Sequence, residues 1–289
     1  MRIKDFCRPN RLDEALLVLA EKSNCKIIAG GTDLTIALNE GIVKPDCILD
    51  ITDVESLRGI YESKGVLHIG AAACFSQIQS NDLVAKFCPS LCSAASQVGA
   101  VQIRNTATIG GNVANAAVAA DSIPPLLSVD AQAVVANCYG RRTVKVSEIV
   151  TGINKNSLED NELILEFMIL SKPSHAMVFE KIGRRKALAI ARINVAVSAG
   201  IYNGNVFDAA IAVGAVGKTA YRVTQAEQFL RNKALDSDVI EQTAILMDEL
   251  VAANLAGRST TPYKRKIAYA AARRALERIA KGEGLCGLK

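Results

Sequence analysis

Leu12, Ala15, Leu16, Leu19 and Ala20 recur at the helical period, which predicts a first helix over residues 10–22 with Asn10 placed to cap its opening amides. The run Lys26-Ile27-Ile28-Ala29 then reads as a buried strand. It stops at Gly30-Gly31-Thr32-Asp33, and Leu34 to Leu38 look like the opening of another helix. A short strand over 47–51 closes a small α/β unit.

Further along, 66–70 reads as a strand, 83–98 as a helix, 102–115 as a polar, glycine-rich loop, and 132–138 and 162–169 as two more strands. No Pro/Gly/Ser linker separates this α+β unit from the first. Two β-type runs, Val195 to Tyr202 and Val206 to Val213, flank Asn203-Gly204-Asn205, a strong hairpin signal. Thr224 followed by Glu227 fits a capping box, and 224–231, 238–254 and 262–281 read as three closing helices.

Of the 289 residues, 50% are hydrophobic and 22% charged, so disordered and collagenous classes fall away. The start lacks a secretory apolar core, and polar residues interrupt every apolar stretch short of a membrane span, so a soluble cytoplasmic protein is expected. A net charge of +5 is too weak to imply nucleic acid. Much of the excess lies in Tyr263-Lys264-Arg265-Lys266 and Arg273-Arg274, spaced as the wet face of an alanine-rich helix. Eight scattered cysteines read as free thiols, since the Cys88 and Cys92 pair has no second pair to complete a four-thiolate site.

The chemistry concentrates in two places. Ile27-Ile28-Ala29-Gly30-Gly31-Thr32-Asp33-Leu34 delivers two glycines and a hydroxyl to a helix start, where backbone N–H groups can close on phosphate oxygens. Gln102-Ile103-Arg104-Asn105-Thr106-Ala107-Thr108-Ile109-Gly110-Gly111-Asn112 repeats the apolar-Gly-Gly-polar scheme. Two such loops can grip one diphosphate, as a dinucleotide supplies, with Thr32, Thr108, Asn112 and Asn115 satisfying the remaining acceptors. Two other motifs fail. Gly214-Ala215-Val216-Gly217-Lys218-Thr219 lacks the earlier glycine of a nucleotide-triphosphate loop and reads as a hairpin exit, and no three-glycine dinucleotide fingerprint follows a strand. His68 and His175 stand in no zinc or nucleophile motif, so any chemistry is borrowed from a cofactor.

With Ala29-Gly30-Gly31-Thr32-Asp33 and Thr108-Ile109-Gly110-Gly111-Asn112 in order, the sequence resembles the flavin-binding medium subunit of the molybdenum hydroxylases, the family of xanthine, nicotinate and carbon monoxide dehydrogenases. Gln102 to Asn105, Asp121, Phe179-Glu180-Lys181 and the hairpin-plus-helices end also match, so the resemblance covers nearly the whole chain. It implies an α+β architecture: an FAD-binding fold of the vanillyl-alcohol-oxidase or p-cresol-methylhydroxylase type in two subdomains, 1–55 and 56–173, then a CO dehydrogenase flavoprotein-like domain over 174–289. It further implies that Ile27, Ile28, Ala29, Gly30, Gly31, Thr32, Asp33 and Leu34 wrap the FAD diphosphate and that Thr108, Ile109, Gly110, Gly111 and Asn112 oppose them. Asp121, Leu163 and Lys181 are the other implied contacts, Lys181 as a cation near the ring.

In such complexes a molybdopterin-binding large subunit oxidises the substrate, a small subunit's 2Fe-2S centres carry electrons, and FAD passes them to NAD or NADP. The resemblance thus implies both partners, in a dimer of heterotrimers, with a xanthine or related N-heterocycle as substrate. A flavin-free scaffold subunit and a stand-alone flavin reductase or oxidase are the alternatives. One departure stands out: many members have an acid where this chain has Ala189, within the basic run Arg184 to Arg192, which leaves the acceptor open.

Overall fold

The computed structural model describes residues 3–185 and 189–287. The first unit is β1 (Asp5–Cys7), α1 (Leu12–Glu21), β2 (Cys25–Ile28), α2 (Leu34–Asn39) and β3 (Cys47–Asp50). β3 lies between β1 and β2, parallel to both. Helix α1 begins with Arg11 at its cap position and no side-chain cap bond; Asn10 does not cap it. Arg11 instead turns to Asp13, in the helix's own first turn.

The second unit runs β4 (Ile60–Ser63), β5 (Val66–Gly70), α3 (Phe75–Gln79), α4 (Asp82–Phe87), α5 (Pro89–Ser96), α6 (Val101–Thr106), α7 (Ile109–Asn115), α8 (Ile123–Ser128), β6 (Gln132–Asn137), β7 (Gly140–Lys145), α9 (Val146–Ile149), β8 (Val150–Gly152), β9 (Lys155–Asn156) and β10 (Leu163–Leu170). Five strands form an antiparallel sheet in the order β4-β5-β10-β6-β7. The expected helix over 83–98 is two helices, because Pro89 has no N–H to donate and keeps Cys88 out of the helical region, at φ −149° and ψ 70°. The expected loop over 102–115 is largely α6 and α7.

The third unit is β11 (His175–Gly183), β12 (Ala191–Tyr202), β13 (Asn205–Gly214), β14 (Tyr221–Arg222), α10 (Thr224–Leu230), α11 (Ser237–Asn254) and α12 (Thr261–Ala280). Its four strands follow in sequence order. Asn203 and Gly204 take φ of 49° and 80°, so a two-residue turn pairs Tyr202 with Asn205. The expected Thr224/Glu227 capping box does not form. Glu227 turns inward, accepting the buried Ile211 N–H at 2.9 Å and pairing with Arg222 at 2.5 Å.

Three cores follow from these layers. One lies between the five-stranded sheet and α3 to α8, and a second joins α1 to the other face of that sheet through Leu16, Leu19, Leu49, Leu163 and Leu165. The third fills the space between the four-stranded sheet and α10 to α12. Phe179 and Ala196 meet Ala94 of α5, so the four-stranded sheet is covered on both faces, which explains the nearly unbroken apolar runs of β12 and β13. At 38% helix and 29% strand, the chain is a mixed α+β protein.

Candidate functional site

The two glycine loops touch. A Cβ on Gly30 would fall 2.5 Å from the Thr106 carbonyl carbon and 2.9 Å from Ala107 Cα, with the Thr106 oxygen closer still. Only glycine lets the turn after β2 lie directly on the end of α6. Gly110 is similarly enclosed, since its Cβ would stand 2.7 Å from both Cβ and O of Ala71 in the segment after β5. Gly111 is different: its Cβ would meet only Thr108 Oγ1, at 3.0 Å.

The loops differ in what they leave free. In the first, among the described residues, no protein acceptor takes the N–H groups from Gly30 to Leu34, while the carbonyls of Gly31 and Asp33 receive Thr35 and Ala37. Gly31, at φ +69°, turns this run back on itself. Consecutive free amides around a left-handed residue make an anion-binding concavity. In the second loop the amides are engaged: Ile109 N–H donates to Ala73 O at 3.1 Å, Gly110 N–H to Ala71 O at 2.8 Å, and Gly111 N–H to Thr108 Oγ1 at 3.1 Å. What this loop can offer a ligand is therefore side chains, the Thr108 hydroxyl hydrogen and the Asn112 amide.

Asn112 Oδ1 accepts a 2.6 Å hydrogen bond from Ser122, next to Asp121. Asp121 and Lys181 form a buried ion pair at 2.5 Å, and Lys181 also donates to Gln97 O at 2.9 Å. The side chain of Lys181 is 7% exposed, so it is not a surface lysine, and its charge faces a carboxylate. Asn194 of β12 donates to Asp121 Oδ1 at 2.9 Å and to Ala120 O at 3.3 Å. Burial pushes the Asp121 carboxyl above its ordinary range, and Lys181 and Asn194 pull it back in part.

Leu163 is buried where β10 begins, in the apolar cluster that Ile27 and Ala29 border, so it supports the strand leading into the first loop. The structure thus joins Gly30 to Thr106 and Ala107, Asn112 to Ser122 beside Asp121, Asp121 to Lys181, and Leu163 to the strand before the first loop. Sequence reasoning missed Asn194, Gln97 and Ser122, each meeting its partner from a distant segment with no local motif. Ala189 packs against Gly183, whose added Cβ would lie 2.5 Å from Ala189 Cβ. Lys186, Ala187 and Leu188 of the basic run lie outside the described residues.

A strand-ended nest of free amides, closed against a second glycine loop beside a buried ion pair, fits the diphosphate of a dinucleotide. Comparison with known proteins names the class. Residues 2–169 match the family described as the FAD binding domain in molybdopterin dehydrogenase, and 178–279 match the CO dehydrogenase flavoprotein C-terminal domain. The chain is 32% identical over 273 residues to the nicotinate dehydrogenase FAD-subunit of Eubacterium barkeri, covering 92% of each chain. It is 34% identical over 258 residues to the xanthine dehydrogenase FAD-binding subunit of Escherichia coli O157:H7, covering 88% of this chain and 87% of that one. Among solved structures, quinoline 2-oxidoreductase from Pseudomonas putida 86 superposes with a TM-score of 0.90 at 28% identity, over 98% of this chain and 99% of that one. Carbon monoxide dehydrogenase of Hydrogenophaga pseudoflava gives 0.89 at 27% identity, over 96% of each. The chain belongs to the FAD-binding medium subunits of the molybdenum hydroxylase family.

Proposed function

We propose that this chain is the electron exit of a molybdenum-containing dehydrogenase acting on xanthine or a related N-heterocycle. The observation that carries the reading is the run of unengaged amides from Gly30 to Leu34, held against Thr106 and Ala107 by the close approach of Gly30. In this reading those amides bind the FAD diphosphate, with Ile27, Ile28 and Ala29 fixing the strand that presents them. Thr32, Thr108, Asn112 and Asn115 hydrogen-bond the remaining acceptors, and Ile109, Gly110 and Gly111 set the opposing wall. FAD bound here supplies the conversion of single electrons from 2Fe-2S centres into a hydride for NAD or NADP.

Asp121 and Lys181 contribute as a neutral pair. Asp121 retains lone pairs for a ligand hydroxyl, while Lys181 anchors it and ties β11 to the segment after α5 through Gln97. Leu163 supports the loop through Ile27 and Ala29. The partners in this reading are a molybdopterin-binding large subunit and a 2Fe-2S small subunit, assembled as a dimer of heterotrimers in the cytoplasm. The corresponding division of the chain is 1–55 and 56–173 for the flavin and 174–289 for the C-terminal domain. No helix among the described residues is long and apolar enough to cross a membrane. The names of the relatives, which include nicotinate, xanthine and quinoline enzymes, favour a nitrogen heterocycle.

An absorbance spectrum of the purified chain, followed by heat release and identification of the chromophore, tests the reading. One FAD per chain is expected. A folded, colourless chain that takes up no added FAD would overturn it. With the partner subunits present, turnover with NAD against NADP then identifies the acceptor.

A further inference from the structure

The loop Gly214 to Thr219, which resembles a nucleotide-triphosphate loop only in its last residues, is not absorbed by the flavin site. It leaves β13 beside the segment that precedes Asp121: Ala215 N–H donates to Val118 O at 2.9 Å. From the other side, Lys264 of α12 donates to the Ala215 carbonyl and Asn254 of α11 donates to Val216 O at 2.9 Å. So held, the loop buries Val216 and Gly217 and presents the N–H groups of Lys218 and Thr219, neither of which meets a protein acceptor among the described residues.

Cations surround it. Asn194 pairs with Gly214, so Arg192 lies one pleat further along β12, opposite the start of the loop. Burial lowers the Lys264 pKa, and the charges of Arg258 and Arg192 lower it further, so each arginine lies within electrostatic reach of Lys264. Lys218 is on the loop itself. Among the described residues none of these four pairs with a carboxylate, unlike the neighbouring Arg265, which binds Asp248 at 2.5 Å. The sequence shows why: the stretches 181–207, 209–226 and 250–276 that meet here contain no Asp or Glu, and Asp121, which follows the segment holding Ala215, is taken by Lys181. Mutually repelling cations on a loop of free amides have their charge left to an outside anion.

We propose that this loop, with Arg192, Arg258 and Lys264, is a binding site for a small molecule carrying a diphosphate or phosphomonoester. The phosphate has two possible sources: the nicotinamide dinucleotide that takes the hydride, or a separate phosphorylated effector. Only the first rests on the flavin reading above.

Calorimetric titration of the full chain with inorganic pyrophosphate tests the site. The probe binds saturably, binds more weakly in added salt, and loses at least about tenfold in affinity in the Arg192→Gln/Arg258→Gln variant. Lys264 is left intact because it holds Ala215, and an unchanged melting temperature shows that the variant folds. Absence of saturable binding, or equal affinity in the folded variant, would overturn the proposal. Competition then separates the sources, both of which uphold the site. NADPH that displaces pyrophosphate and weakens by the same factor identifies the acceptor, and pyrophosphate binding that NADPH leaves untouched identifies a separate effector. Flavin content is measured on the same samples, so a chain without FAD that still binds pyrophosphate through these arginines refutes only the flavin reading.

Discussion

Gly30→Ala isolates the contact on which the candidate site depends. The backbone of Gly30 does not have positive φ, so alanine meets no intrinsic strain there, and the effect comes from the new methyl alone. That methyl would sit 2.5 Å from Thr106 C and 2.9 Å from Ala107 Cα, whereas non-bonded carbons rest about 3.5–4.0 Å apart. Both neighbours are backbone, so no rotamer change relieves the clash, and the first loop must move off α6 by roughly 1 Å. Overpacking of this kind costs about 1–3 kcal/mol. At about 2–4 °C per kcal/mol for chains of somewhat smaller size, the melting temperature falls by roughly 2–12 °C. The same displacement opens the concavity, and FAD affinity falls by about tenfold for each 1.4 kcal/mol lost from binding. Scanning calorimetry and flavin-fluorescence titration of the reconstituted chain read the two effects. A Gly30→Ala chain that melts within a degree of wild type and keeps its FAD affinity would refute the reasoning.

Other consequences follow from the same geometry. Gly111→Ala meets only Thr108 Oγ1, so its melting temperature stays within about 2 °C of wild type, and a loss of FAD from this folded variant reports ligand contact at the second loop. Removing one member of the Asp121–Lys181 pair, by Lys181→Met, destabilises the chain by about 3–5 kcal/mol in denaturant titrations; a change under about 1 kcal/mol would show that the pair is not buried in solution. Arg142 grips Glu162 in two hydrogen bonds, at 2.7 and 2.8 Å, and holds its carboxyl below the ordinary range. Its contribution is therefore present above the unfolded value near 4.3 and lost as pH falls through the lower folded value. Arg142→Gln flattens that acid limb, and an unchanged limb would contradict the assignment. Burial pushes the Cys88 thiol up to about 11, so this fully buried thiol is not modified by a thiol reagent at pH 8 until the chain unfolds, and rapid native labelling of Cys88 would disprove its burial.

The parts of the fold legible in the sequence are those whose signal is local. The β12–β13 hairpin, the α11 and α12 periodicity and the glycine turn after β2 each rest on neighbours within a few residues. Helices α6 and α7 are not legible, because each is under two turns and Gly110-Gly111 weakens the second; what holds α7 is Ala71 and Ala73, residues of a remote segment. Glu227 is misread for a related reason: its capping role loses to Arg222 and to the buried Ile211 amide. Strand β7 escapes notice because it is an edge strand carrying Arg141, Arg142 and Lys145, which protect it from pairing further. In the site, the two glycine motifs are legible, but the division of labour between them is not. Only the structure shows that the first loop leaves its amides free while the second uses them internally.

The central claim is that the first loop grips a diphosphate, and a comparison of FAD with riboflavin on the flavin-free chain tests it most directly. Both ligands carry the same ring, and FAD adds to it the diphosphate and the adenosine that the diphosphate carries. The account predicts one tightly bound FAD per chain and riboflavin weaker by at least about a thousandfold, a difference of roughly 4 kcal/mol. Equal affinities would place the recognition on the ring and contradict the diphosphate cradle.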